Sequence, residues 1–180
     1  MSDHSISIVP KISSYPEKIF KAQTILTWLV SENIVKPELS DCVLSIDSGY
    51  AVSEGARLIT AYPDQLPFDL ITNGLEVITE RRVFYTGENG MEECICPHCK
   101  ENIAQENWRF LNNWYKQLSD ELICPLCNVG TEIHQFRFEP EWGFSDLGFT
   151  FWNWPLLKES FIASFKEKLG SDISIVYTHI

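Results

Sequence analysis

The chain has 180 residues, of which 44% are hydrophobic and 13% aromatic, and its formal net charge is -11 at pH 7. This length suffices for one compact domain with a small appended module but not for two large domains, and the apolar content excludes a largely disordered chain. The excess of 25 acidic over 14 basic residues disfavours binding to nucleic-acid phosphates.

The cellular compartment follows from what the sequence lacks. Residues 1–10 contain no basic stretch followed by an apolar core, which a secretory signal would show. No apolar run has the length that a membrane-spanning helix needs. We therefore predict a cytoplasmic protein. Because thiols stay reduced in that compartment, the six cysteines point to metal binding rather than to disulfides.

The first part of the chain is predicted to form a β-α-β unit. A short apolar stretch at 6–9 is followed by apolar residues at helical spacing over 19–30, with Pro16 suited to the first helical position. Pro37 ends this predicted helix, because the residue before a proline is biased away from helical geometry. The apolar run 42–46, bounded by Asp and Gly residues, is predicted to be a buried strand.

The remaining elements are predicted from alternation and turn residues. A long β-rich run over 75–86 leads by a hairpin into the first cysteines. Between the cysteine pairs, apolar residues recur every three or four positions over 104–122, which predicts an amphipathic helix. Beyond them we predict strands at 131–139 and 144–154, a helix from Pro155 to about Leu169 capped by Gly170, and a last strand at 173–178.

These elements predict an α+β fold, with a mixed sheet, two or three helices and an inserted zinc-knuckle module that contains a helix. Residues 1–90 and 131–180 are predicted to form one α+β domain together. Residues 91–130 are predicted to form the inserted zinc-binding module.

Two Cys-Pro-x-Cys units form the clearest motif of the sequence. The first spans Cys96 to Cys99 and the second Cys124 to Cys127, with 24 residues between them. Zinc prefers four ligands in a tetrahedron, and a two-residue spacer lets both sulfurs of one turn converge on the same ion. The four cysteines are therefore predicted to bind a metal, with free thiols or two disulfides as the alternative.

The two units resemble the metal-binding turns of the zinc-ribbon and rubredoxin-knuckle families over residues 94–130. The resemblance implies that Cys96, Cys99, Cys124 and Cys127 hold one Zn²⁺ ion. Four thiolates leave no coordination position open for water, so a structural role is expected rather than a catalytic one. The chain departs from these families at Lys100 and Asn128, where many such turns have glycine, and in its longer insert, which also fits a treble-clef-like arrangement.

Four other residues near the motif carry weaker signals. Cys94 would share a strand face with Cys96, so it is either an ordinary strand residue or an alternative ligand or redox group. His134 is either a sheet histidine or a ligand or acid-base group. His98 is expected to be a solvated spacer, and Cys42 to be a small core residue.

Several other patterns bear on function. The sequence contains no phosphate-binding glycine loop, nucleophile elbow or metalloprotease helix, so catalytic machinery is not recognisable. Arg81 and Arg82, with Arg57 and Arg109, are candidate phosphate contacts. A run of aromatic residues is expected either to pack in the core or to form a binding surface. Its members are Trp142, Phe144, Phe149, Phe151, Trp152 and Trp154.

The leading functional hypothesis is a non-enzymatic, zinc-stabilised protein-interaction module whose acidic surface binds a basic protein, as an inhibitor or immunity-type protein does. The negative charge motivates it, although an acidic surface also serves solubility alone. A second hypothesis is a nucleic-acid-binding zinc-ribbon protein. A third is an enzyme with an unrecognised active site, which a deep polar pocket near His134 or Asp47 would support.

Overall fold

The structure is a computed structural model that describes residues 2–180, apart from the side chain of Phe110. It contains three α-helices and twelve strands, joined by loops and short 3₁₀ helices. The helices are α1 (Lys18–Ser31), α2 (Asn112–Tyr115) and α3 (Glu159–Leu169). The strands are β1 (His4–Pro10), β2 (Val35–Ser40), β3 (Gly49–Val52), β4 (Leu75–Ile78), β5 (Arg82–Phe84), β6 (Glu93–Ile95), β7 (Glu121–Ile123), β8 (Gly130–Glu132), β9 (Arg137–Glu139), β10 (Gly143–Ser145), β11 (Gly148–Trp152) and β12 (Ile173–His179).

A six-stranded sheet forms the body of the protein. Its strand order is β12-β1-β11-β4-β3-β2, and its neighbouring strands pair antiparallel. A parallel pairing occurs at the isolated bridge between Gly87, which belongs to no strand, and His179, the last residue of β12. The predicted α+β class is confirmed by this sheet and the helices packed on it.

Helices α1 and α3 cover one face of this sheet. Because successive side chains of a strand point to opposite faces, Ile6 and Ile8 of β1 face the helices, together with Phe149 and Phe151 of β11. Aromatic rings fill the space between the layers. The Phe165 ring of α3 lies 5.0 Å from Phe149, measured between centroids. This core anchors the sheet to both long helices.

The strand predicted at 42–46 is wrong. The second strand of the β-α-β unit is β2, which contains Pro37 and lies at the edge of the sheet. An edge strand tolerates proline because one side of its backbone makes no ladder hydrogen bonds. In the loop that follows, Cys42 is buried, whereas Ile46 is fully exposed. The apolar run is therefore split between core and surface.

Three predicted strands are each divided in two. The run 75–86 breaks after β4, and β5 then pairs with β10 in a separate two-stranded sheet instead of forming a hairpin into the cysteines. The predicted strands 131–139 and 144–154 become β8 with β9, and β10 with β11. Helix α3 begins at Glu159 rather than Pro155, and Gly170 caps it in a left-handed conformation, as predicted.

The amphipathic helix predicted over 104–122 is not present. A 3₁₀ helix at Trp108–Leu111 runs into the four-residue α2, and Gln117 then adopts a φ of 59° that stops helical geometry. The periodic apolar residues divide: Trp114 and Leu122 are buried, whereas Leu118 is 72% exposed. The regular spacing of apolar residues over 104–122 therefore does not mark one face of a helix. It belongs to an irregular segment in which only some of these side chains are buried.

A second hydrophobic core lies around the cysteines. Its buried members come mostly from loops and two small sheets, β6-β9 and β7-β8. They include Ile103, Trp114 and Leu122 from between the two cysteine pairs, and Phe138 and Phe144 from beyond residue 130. The boundary of the inserted module at 91–130 stays a prediction.

The described part of the chain, residues 2–180, holds no helix with the length and apolar character needed to cross a bilayer.

The main core predicts a contrast between two phenylalanines. Phe165 is fully buried, whereas Phe20 of α1 is 71% exposed. Phe165→Ala should lower the free energy of unfolding by about 4 kcal/mol, because it removes a buried ring and leaves a cavity. Phe20→Ala should change it by less than about 0.5 kcal/mol. Urea unfolding followed by circular dichroism measures both, and equal losses would contradict the assignment of this core.

Candidate metal centre

The four cysteines of the two Cys-Pro-x-Cys units converge on one point. The Sγ atoms of Cys96, Cys99, Cys124 and Cys127 all lie within 4.8 Å of one another. Cys96 Sγ is 3.9 Å from Cys127 Sγ, and Cys99 Sγ is 3.8 Å from Cys124 Sγ. These distances exceed a disulfide bond of about 2.05 Å, and all four are free thiols. The group can therefore hold a metal ion.

The sulfur distances fit a tetrahedral metal site. A tetrahedron with metal–sulfur bonds of about 2.3 Å has edges of about 3.8 Å between its sulfurs. The contacts of 3.9 and 3.8 Å match that edge, and each joins one knuckle to the other. The thiols thus stand close to coordination geometry without any movement of the backbone.

The two knuckles have the same backbone hydrogen bonds. Lys100 N–H donates to the Cys96 carbonyl at 3.0 Å, and Asn128 N–H donates to the Cys124 carbonyl at 2.9 Å. In return the N–H of the first cysteine of each turn donates to the carbonyl five residues later, at Glu101 or Val129, over 3.1 Å. The two halves of the site are therefore built alike.

The positions where many related knuckles have glycine keep the conformation that glycine favours. Lys100 has a φ of 65° and Asn128 a φ of 62°, both left-handed. Asparagine adopts this conformation readily, whereas it is strained for lysine. The departures noted in the sequence therefore change the residue but preserve the turn.

Three of the four thiols have shifted pKa values, and the shifts differ in direction. Burial, the largest influence, opposes ionisation of Cys96, but hydrogen bonds from the backbone of Cys99 and His98 outweigh it and lower its pKa to about 7. A backbone hydrogen bond at Glu101 favours the Cys99 thiolate, yet burial and the neighbouring sulfurs raise its pKa to about 12. Burial raises the pKa of Cys124. Four adjacent thiolates therefore need a cation to coexist.

Cys94 lies beside this group without belonging to it. It is fully buried, and its pKa rises to about 12, because of burial first and then of Cys124 and Cys96. Its backbone N–H donates to the side-chain oxygen of Asn102 at 2.9 Å. Cys94 thus behaves as a buried strand residue of β6. Cys42 is a buried core residue, as predicted.

His134 is held by its neighbours. Its Nδ1 lies 2.6 Å from a carboxylate oxygen of Glu132, and its Nε2 lies 2.8 Å from the Phe144 carbonyl. Both ring nitrogens therefore have partners within the protein, and His134 is outside the thiol group. A cavity of about 230 Å³ borders it, which Lys11, Arg137 and Glu141 also line. His98 is exposed, as expected for a spacer.

Arg81 fastens the irregular segment between the knuckles to the main body. Its guanidinium donates to the Trp114 and Ser119 carbonyls and to the Asp120 carboxylate, the last at 2.7 Å. It also lies 4.1 Å from the centroid of the Trp114 ring, within the range of a cation–π contact. Trp114 Nε1–H donates to Ser13 Oγ at 2.8 Å. These contacts of Arg81 and Trp114, here called the Arg81 clamp, could not be predicted from the sequence, because the residues are far apart in the chain.

Three of the four arginines proposed as phosphate contacts form ion pairs. Arg81 pairs with Asp120 at 2.7 Å and Arg82 with Glu76 at 3.1 Å. Arg57 pairs with Glu54 at 2.7 Å. Arg109 is exposed at the start of the segment that leads into α2.

The aromatic run between Trp142 and Trp154 packs inside the protein. Its tryptophans and phenylalanines are each no more than 8% exposed. The Phe144 ring packs edge-to-face against the Trp114 ring, with centroids 5.4 Å apart. This contact joins the aromatic run to the second core. The core interpretation of this run is confirmed.

The chain matches no protein-family model, no curated protein and no solved structure.

The left-handed turn at Lys100 predicts a stabilising substitution. Lys100→Gly should raise the free energy of unfolding by about 0.5 kcal/mol, because relief of strain at positive φ exceeds the added flexibility of the unfolded chain. Lys116 has a φ of -77° and is also exposed, so Lys116→Gly should lower that free energy by up to about 1 kcal/mol. Chemical unfolding of the metal-loaded variants measures both. A loss of stability at both positions would contradict the strain argument.

Proposed function

We propose that Cys96, Cys99, Cys124 and Cys127 bind one Zn²⁺ ion in a closed structural site, and that the protein is a non-enzymatic binding protein for a basic protein partner. The observation that carries the metal assignment is the convergence of four thiols within 4.8 Å, with contacts of 3.8 and 3.9 Å across the knuckles. An all-sulfur, tetrahedral ligand set is the one that structural zinc prefers.

The role of the metal follows from the architecture of the second core. That core is built from loops, three-residue strands and a four-residue helix, none of which is stable alone. Zinc supplies a cross-link between the two knuckles and neutralises charge on their thiolates. With four protein ligands no position remains for a substrate or water, so catalysis at the metal is not expected.

Acidic residues are in excess in the segment of the chain that contains the proposed metal ligands. Residues 88–141 contain ten Asp or Glu and four Lys or Arg, so they contribute six of the eleven net negative charges. Four bound thiolates and one Zn²⁺ would add two more negative charges there. This concentration favours a basic partner and fast, salt-dependent association with it.

Two pairs of glutamates on neighbouring strands add to the argument. Glu93 of β6 lies opposite Glu139 of β9, and Glu121 of β7 lies opposite Glu132 of β8. Like charges directly across a sheet are destabilising. Arg137 compensates Glu93, and His134 contacts Glu132, whereas Glu139 and Glu121 are exposed. A basic partner would relieve the remaining repulsion.

The net negative charge of the protein indicates which class of partner it would bind. A basic enzyme such as a nuclease or toxin presents the complementary surface, and an inhibitor or immunity-type protein is the function that this acidic face suits best. Nucleic-acid binding is weaker as an alternative, because Arg57, Arg81 and Arg82 are committed to carboxylates. Acid-base catalysis by His134 is weaker too, because both its ring nitrogens are occupied.

The zinc assignment predicts a selective loss of metal. The purified protein should contain about one zinc per chain by elemental analysis. Cys124→Ser should lower that content to well below half and lower the unfolding midpoint by more than about 10 °C, because a ligand and a cross-link are lost. Cys42→Ser and Cys94→Ser are matched controls that should each keep one zinc. Zinc-free wild-type protein with an unchanged midpoint would refute the assignment.

The binding proposal predicts that a few charges matter more than others. A complex captured at low salt should weaken at least about tenfold between 50 and 200 mM salt. The double variant Glu121→Gln/Glu139→Gln should bind more weakly than wild type, because it removes charge beside the knuckles. The control Glu38→Gln/Glu167→Gln removes the same charge from exposed positions of β2 and α3. Equal effects of both double variants, or no complex at low salt, would count against the acidic face.

A further inference from the structure

A second site lies on the other side of the main sheet, away from α1 and α3. Here β5 and the loop before β3 cover the strands and leave a cavity of about 230 Å³. This volume equals roughly seven or eight waters at about 30 Å³ each and is smaller than a typical drug-sized pocket. Its lining includes Ser7, Leu44, Glu76, Arg82, Tyr85 and Trp152. None of the proposed zinc ligands takes part.

An ion pair between a buried carboxylate and a partly exposed arginine forms part of the cavity lining. Glu76 of β4 is 2% exposed, and its Oε1 accepts a hydrogen bond of 3.1 Å from Arg82 Nη1. Its Oε2 accepts another of 3.1 Å from Trp152 Nε1–H. The next residue on the same face of β4, Ile78, packs in an apolar cluster. A carboxylate at a position that would otherwise be apolar is costly to keep buried, which makes Glu76 a candidate functional group.

The rest of the cavity is mostly apolar and partly open. Leu44 is 45% exposed and Tyr85 is 54% exposed, so both stand at the surface beside the cavity. Two hydroxyls of the lining, Ser7 Oγ and Thr150 Oγ1, bond to each other at 2.8 Å. A ligand therefore meets an apolar wall and a pair of opposite charges.

The charge pair limits which ligands fit. A simple cation is attracted by Glu76 but repelled by Arg82. A simple anion is attracted by Arg82 but repelled by Glu76. A purely apolar molecule would displace water from both charged groups and offer them no partner. A molecule that carries its own adjacent cation and anion can satisfy both.

We propose that this cavity binds a free α-amino acid with an apolar side chain. Its carboxylate would accept from the guanidinium of Arg82, which has five N–H donors and uses one of them on Glu76. Its ammonium would donate to Glu76, whose two oxygens each hold one protein donor and retain acceptor capacity. Its side chain would lie against Leu44 and Tyr85. This site goes beyond the proposed zinc-stabilised binding function and does not depend on it.

Isothermal titration of the zinc-loaded protein with L-leucine and L-phenylalanine tests the proposal. We expect at least one of them to bind with a Kd below about 1 mM, as a small ligand with two ionic contacts can. N-acetyl-L-leucine lacks the ammonium and L-leucinamide lacks the carboxylate, so each should bind at least about tenfold more weakly than L-leucine. No binding of either free amino acid at 10 mM, or binding of either derivative as tight as that of L-leucine, would overturn the proposal.

Variants locate the binding in the cavity. Glu76→Gln should weaken amino-acid binding at least about tenfold, because the ammonium loses its charged partner. Should Glu76→Gln fail to fold, Leu44→Trp serves instead, since Leu44 is partly exposed and a larger side chain there should occlude the cavity. Leu156→Trp places the same bulk at a residue that is 54% exposed and outside the cavity, and should leave binding unchanged. Unchanged binding by Leu44→Trp would overturn the proposed site.

Discussion

The convergence of four thiols is the constraint around which the second core is arranged. Around it the chain forms loops, three-residue strands and a four-residue helix, and these elements bury a set of large apolar side chains. They have few of the regular backbone hydrogen bonds that usually offset the entropy lost when a backbone becomes ordered. The main body is different. Its six strands and two long helices bury a continuous aromatic core, so it needs no cross-link. The two cores of the chain therefore differ in how much regular secondary structure surrounds them.

Arg81 and Trp114 join these two parts. Through hydrogen bonds to Ser119 and Asp120 and a 4.1 Å contact with the Trp114 ring, a single guanidinium holds the segment between the knuckles against the body. The Arg81 side chain is 6% exposed, so its stacking contact with the buried Trp114 ring is shielded from water. An arginine that looked suited to phosphate binding in the sequence is thus an internal fastening.

The features that could be predicted from the sequence are those that depend on short sequence patterns. The β1 strand, the Gly170 cap and the grouping of the four cysteines rest on short-range patterns, and all three are found. The helix over 104–122 and the strand at 42–46 were wrong, because burial there is decided by distant partners and not by periodicity. The Arg81 clamp and the Glu76–Arg82 pair could not be predicted, since they join residues whose proximity depends on the completed sheet.

The strand order sets the sequence in which the protein can assemble during synthesis. Both neighbours of β1 in the sheet, β11 and β12, come from residues 148–179, whereas the core around the cysteines draws its buried side chains from residues 91–144. When residues 91–144 have emerged from the ribosome, the two partner strands of β1, β11 and β12, have not yet emerged. For most of translation that apolar strand has two open edges, which are a template for unwanted pairing with other chains. The four cysteines are therefore synthesised before the two strands that close the sheet around β1.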